Sequence, residues 1–139
     1  VILALFSIFD IAGSSMSSQS VRLNTTVSNM ANANTIAGSA DEAYKGRHPI
    51  FQVLLDEFGG DPTRAGVGVS QIVESQAPAR SLYQPEHPLA DADGYVYLPN
   101  VNVMDEMVNM LSAARAYQNS VEVLNTSKQL LLRTISAGQ

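Results

Sequence analysis

With 139 residues, a formal charge of −5 and a pI near 4.8, the chain has the size of one ordinary domain and the wrong sign for a nucleic-acid groove or an anionic membrane surface. It holds no cysteine, which removes disulfides, thiolate metal sites and a cysteine nucleophile together. That absence suits a protein exported unfolded and leaves the redox compartment open.

Proline and glycine divide the chain. All six prolines (Pro49, Pro62, Pro78, Pro85, Pro88 and Pro99) and seven of the nine glycines fall between residues 34 and 101. Proline breaks helix interiors, and glycine costs about 1 kcal/mol there relative to alanine, so the flanks can form long helices and the middle cannot. The fold class is mainly α, with an N-terminal helix over 1–35, a β-rich or irregular middle lobe over 36–101, and a C-terminal helix over 102–139. The two helices are expected to pair as one discontinuous, coiled-coil-like stalk.

In chain order, VILALFSIFDIAG opens with the apolarity of a signal-peptide core. No basic segment precedes it and Asp10 interrupts it, so it is not read as a cleavable signal. It is also short of the roughly 20 apolar residues that span a bilayer. Phe9, Gly13, Met16, Ser20, Leu23, Val27 and Met30 follow with the spacing of a helix seam. Residues 1–33 carry only Asp10 and Arg22, and the stretch SNMANANTIAG (Ser28 to Gly38) has three asparagines, three alanines and no charge. A helix written that way expects other protein around it.

The middle lobe holds nine acids against four bases and so carries the whole net charge. PIFQVLL (Pro49 to Leu55), GVGVSQIVES (Gly66 to Ser75) and YVYL (Tyr95 to Leu98) read as strands, with FGGDPTRA as a loop between the first two. The turn signal Asp93-Gly94 precedes the third. APARSLYQPEHP, with three prolines in twelve residues, reads as an extended surface connector.

In the C-terminal flank Val103, Met107, Met110, Ala114, Tyr117, Val121, Leu124, Leu131 and Ile135 alternate by four and three, broken only at Lys128. A helix from Asn102 to Ser136 would be roughly 50 Å long, more than a compact globule of this size covers alone. Asn102 is placed to cap it, Asp105 and Glu106 stand in its first turn where the helix dipole favours acids, and Gly138 ends it.

The search for catalytic chemistry returns little. His48 and His87 both precede proline, and His87 with Asp91 and Asp93 makes only a loosely spaced trio. DADG starts like a calcium loop but Asn102 stands where the closing Glu belongs. No phosphate-cradling glycine loop or nucleophile elbow is present, and no cofactor or metal is expected. The serine run SSMSS (Ser14 to Ser18) reads as packing, and Met30, Met104, Met107 and Met110 as core or interface filler. The residues alone leave two readings: an assembly subunit, or a non-enzymatic helical module whose β lobe binds a peptide or small ligand.

SNMANANT (Ser28 to Thr35) and HPLADADGYVYLPNVNVMDEMVNML (His87 to Leu111) resemble the rod and hook family of the bacterial flagellum, and proximal rod members in particular. FDIAGSSMSSQSVRLNTTVSN and SAARAYQNSVEVLNTSKQLLLRTISAGQ extend the likeness over nearly the whole chain. Met30 stands where the family usually has Leu, and residues 36–66 match least. The resemblance implies no enzymatic activity and export through the flagellar type III apparatus. It further implies assembly with other rod proteins and copies of itself into a helical drive shaft in the cell envelope. Basal-body ring and export-gate adaptor proteins would be further partners, with no nucleic acid and no membrane insertion. On that view Leu23, Val27, Met30, Met107, Met110, Tyr117, Val121, Leu124 and Leu131 form assembly surfaces, and the amides of Asn29, Asn32 and Asn34 serve the helix end and neighbouring subunits. Pro88, Ala90, Asp91, Gly94, Tyr95, Pro99 and Asn100 make the motif of the lobe.

Overall fold

A computed structural model describes the backbone of residues 2–55 and 64–138 and the side chains from Phe6 onward. The elements are α1 (Ile2–Asn32), β1 (Arg47–Leu54), β2 (Gly66–Glu74), β3 (Arg80–Tyr83), β4 (Tyr95–Leu98) and α2 (Val103–Ala137). Two proline-free flanks have become two long helices, with a small β region between them. Most of the expected FGGDPTRA loop lies outside the described residues.

The helices pack side by side and antiparallel. Asn29 meets Glu106, Arg22 donates to Asn109 Oδ1 at 3.1 Å, and the Ser120 hydroxyl donates to Ser15 at 3.0 Å, so position along one helix falls as it rises along the other. At about 1.5 Å per residue each is roughly 45–50 Å long. Asn102 Oδ1 accepts from Met104 N at 3.0 Å and caps α2, and Gly138 N donates to Ile135 O at its far end.

The buried positions of α2 are Glu106, Ala113, Ser120 and Ser127, seven apart. Met110, Tyr117, Leu124 and Leu131 alternate with them and are half-buried. Half of the expected seam is therefore displaced by one residue. Met107, Ala114, Val121 and Lys128 give way to their immediate predecessors, and Val103, Met107 and Ile135 are 37%, 41% and 53% exposed. Small side chains let two helix backbones approach closely, which larger ones at the same positions would prevent. Among the described residues the buried apolar set is correspondingly small: Ala12, Ala33, Ala43, Val96, Val101 and Ala113, with Pro99 between the two valines in sequence.

The strands form two antiparallel hairpins. β1 and β2 pair from Arg47 opposite Glu74 to Leu54 opposite Gly66, with a shift at Ile50/Phe51 that leaves Ser70 without an opposite number. β3 lies inside the segment expected as a surface connector, and pairs with β4 from Arg80 opposite Leu98 to Tyr83 opposite Tyr95. Pro78 and Pro85 bracket six residues that contain no proline, four of them β3; held extended, they need only an available edge to become a strand.

The β1–β2 hairpin lies back along α1. The first residue of β1, Arg47, is bonded to Asn29 of α1, and the backbone of Val67 in β2 is gripped by two serines one helical turn apart: Ser14 Oγ accepts Val67 N at 3.1 Å and Ser18 Oγ donates to Val67 O at 3.0 Å. The charge-poor helix thus finds much of its cover within its own chain, with α2 and the hairpin both against it.

Candidate functional site

Where α1 ends, three parts of the chain meet at one amide. Asn29 is 1% exposed, and its side chain makes four hydrogen bonds. Nδ2 donates to Arg47 O at 2.8 Å and Glu106 Oε2 at 3.1 Å, while Oδ1 accepts from Arg47 N at 2.9 Å and the Tyr44 hydroxyl at 3.0 Å. An amide has two donors and two acceptor lone pairs, so this one is fully used. It joins α1 to the first residue of β1 and to the buried Glu106 of α2. Asn32 turns back to donate to Ser28 O at 2.8 Å, satisfying a carbonyl of the last helical turn. Asn34 is exposed and lines a cleft of about 560 Å³ with Arg80, Asn100, Asn102 and Met104. Of the three amides expected to reach neighbouring subunits, Asn29 points inward with no bonding capacity to spare, and Asn34 alone is exposed.

The lobe motif builds the joint ahead of α2. Pro99 is almost wholly buried beside the buried Val96 and Val101. Asn100 Oδ1 accepts Gly46 N at 2.7 Å and Nδ2 donates to Ala77 O at 2.6 Å. Arg80 Nε donates to Pro99 O at 3.1 Å, and Ala37 exchanges backbone bonds with Tyr97. Farther out, Asp91 staples the loop between β3 and β4. Its carboxylate accepts from Tyr95 N at 2.8 Å, Asp93 N at 3.0 Å and the Tyr97 hydroxyl at 2.9 Å. The Tyr95 amide, then the Tyr97 hydroxyl and the remaining loop amides, hold Asp91 below the usual carboxylate range, outweighing its partial desolvation. Donating to that carboxylate pushes the Tyr97 phenol up. Gly94 closes the turn with φ +82°, where a Cβ would also stand 2.9 Å from the Tyr83 ring. Ala90 N donates to His87 O, and Pro88 lies exposed on the loop surface. His87 Nδ1 accepts from Leu89 N at 3.1 Å, and among the described residues no three acidic or histidine side chains gather to hold a metal ion.

The outward faces of the helices are apolar. Met104 is 68%, Val108 65% and Leu111 57% exposed, and at spacings of four and three they share one face of α2, turned away from α1. On α1, Phe6 and Val27 are exposed, while Leu23 and Met30 are half-buried. No described helix is long and apolar enough to cross a membrane.

The chain is 50% identical over 137 residues to the flagellar basal-body rod protein FlgC of Salmonella typhimurium, covering 99% of this chain and all of that protein. It is 51% identical to FlgC of Yersinia enterocolitica and 37% identical to FlgC of Buchnera aphidicola subsp. Schizaphis graminum, each with 99% of this chain and all of the relative covered. The chain belongs to the FlgC family. Residues 92–137, the β4 and α2 part, also match the C-terminal family described as flagellar basal body rod FlgEFG protein.

Several residues of this FlgC-family chain that organise the site were not legible as such. Glu106 reads as a first-turn acid suited to the helix dipole, and in the structure it is 4% exposed and accepts from Asn29. Ser14 and Ser18 carried a usable signal, since hydroxyls one turn apart on an otherwise charge-poor helix are placed to grip one peptide unit. Ser15 and Ser120 carried none, because their pairing depends on the antiparallel register of the helices.

Proposed function

We propose that the chain is a structural, non-enzymatic subunit of the flagellar basal-body rod, and that it stacks with other rod proteins and copies of itself through the outward faces of its helices. The observation that carries this reading is the apolar stripe of Met104, Val108 and Leu111 on the solvent side of α2, in a chain of this family. Each such side chain removed from water contributes about 1.5–3 kcal/mol, and a contact between unlike faces whose rotation does not close a ring repeats along a helix, as a tube requires. Residues 1–35 and 102–139 form the assembly core on this reading, packed as a stalk, with 36–101 as the outer lobe.

Such a tube serves as the proximal part of a drive shaft, transmitting torque because closely packed long helices resist shear, and enclosing the export channel. Its subunits leave through the flagellar type III system to a rod in the periplasm, where ring and export-gate adaptor proteins are the neighbours. Leu23 and Leu124 are half-buried, so acids there would damage the subunit as well as its assembly. Val108→Asp and Leu111→Asp separate the two. Each is expected to leave the melting temperature of the purified chain unchanged, to stop swimming in soft agar and to exclude the chain from isolated basal bodies. Normal swimming with both would remove this face from the assembly.

A further inference from the structure

Residues 46 and 47 mark where the lobe enters β1, and their backbone is held from two directions. From α1, Asn29 takes both polar groups of Arg47, donating to its carbonyl at 2.8 Å and accepting its N–H at 2.9 Å. From the segment entering α2, Asn100 accepts Gly46 N at 2.7 Å and donates to Ala77 O at 2.6 Å and Ser75 O at 3.4 Å, while Ser75 N donates to Gly46 O at 2.7 Å. A primary amide presents donor and acceptor together, as a neighbouring strand would, and neither a hydroxyl nor a carboxylate offers both in that arrangement. The site is also close-fitting: a Cβ on Gly46 would lie 3.4 Å from Asn100 Oδ1 and from the Val101 side chain.

We propose that Asn29 and Asn100 form a clamp that fixes the base of the β1–β2 hairpin against the helix pair, at the end opposite the Ser14 and Ser18 grip on Val67, and so presents hairpin and helices in the single relation that assembly requires. The inference rests on the assembly reading above. Both are positioning residues: the clamp acts through the hairpin and needs no contact with a neighbouring subunit. It defines a class of variant in which the helices form, the base of the hairpin shifts against them while Ser14 and Ser18 still hold Val67, and the subunit is not incorporated.

The chain has no cysteine, so spin labels can be placed at two exposed positions, Gln71→Cys on β2 and Gln118→Cys on α2, in the full-length protein. The parent is expected to give one narrow distance. Asn100→Ala is expected to give a broad distribution with unchanged helix content, amide exchange at Gly46 and Arg47 faster by about fivefold or more, and clear loss of incorporation into basal bodies. Asn100→Asp keeps the acceptor for Gly46 N–H but sets a carboxylate oxygen against the Ala77 carbonyl in place of the donor, and serves the same comparison if the alanine variant loses helix. A narrow distance in both variants overturns the clamp. A broad distance with normal incorporation overturns its link to assembly. If Val108→Asp is excluded from basal bodies in that same experiment, the clamp alone falls; if it too is incorporated normally, the assembly reading falls with it.

Discussion

The two helices invert a simple rule about charge. α1 carries two charged residues in 31 positions and lies against both α2 and the β1–β2 hairpin; α2 carries six in 35, packs on one side, and turns Met104, Val108 and Leu111 to solvent. A shortage of charge marks a helix whose faces are covered, and here the cover is supplied largely by the same chain. Exposed apolar surface is the better marker of a missing partner, and it lies on the more charged helix.

The comparison is broken most severely at the point where both helices and the hairpin meet. Asn29→Asp sets a second acidic group against Glu106 and an oxygen against the Arg47 carbonyl in a site closed to water. It is expected to cost about 3 kcal/mol or more in chemical denaturation of the purified chain. Next comes the contact between the helices. Ala113 is wholly buried in α2, and Ala113→Leu is expected to cost about 1–3 kcal/mol by forcing the two backbones apart. An unchanged denaturation midpoint would mean that the small residues at Ala113, Ser120 and Ser127 do not set the spacing.

The loop staple separates lobe from helices. Because Asp91 is held below its ordinary value, the stability it contributes is complete above the usual carboxylate range and is lost as pH falls through the depressed value. Tyr97 acts at the other end: its contribution is complete below the ordinary phenol value and is lost as pH rises through the raised one. Amide exchange in residues 84–95 is expected to quicken in acid while the helices stay protected, and Asp91→Asn is expected to flatten that dependence. Smallest of all for the isolated chain are charges on the outer faces. Val27→Asp on α1 and Val108→Asp on α2 are each expected to stay within about 0.5 kcal/mol of the parent. A large loss at Val108 would show that this face is covered within the chain after all, and would erase the contrast between the helices.

The comparison also marks what a linear reading reaches. Asn102 and Gly138 act as the ends of α2 because capping is local: a side chain serves a backbone group one turn away. The same locality made the turn at Asp93-Gly94 visible, where the positive φ of Gly94 demands glycine. β3 was missed because a four-residue strand between prolines has almost no pattern of its own and exists through its partner β4. In α2 the four-three spacing was legible, yet it could not say whether the large residues or their small neighbours face α1.

The sequence by itself determined the two helices, their approximate ends, the β character of the lobe and, through its motifs, the family. These follow from backbone geometry, capping and periodicity, all of which act over a few residues. Only the tertiary structure decided that the hairpin folds back along α1, that Ala113 and Ser120 fill the seam, and that Asn29 joins Glu106 to Arg47. Those contacts link residues 18 to 105 positions apart, and what selects them is close packing and the pairing of buried polar groups across the chain, neither of which leaves a local trace.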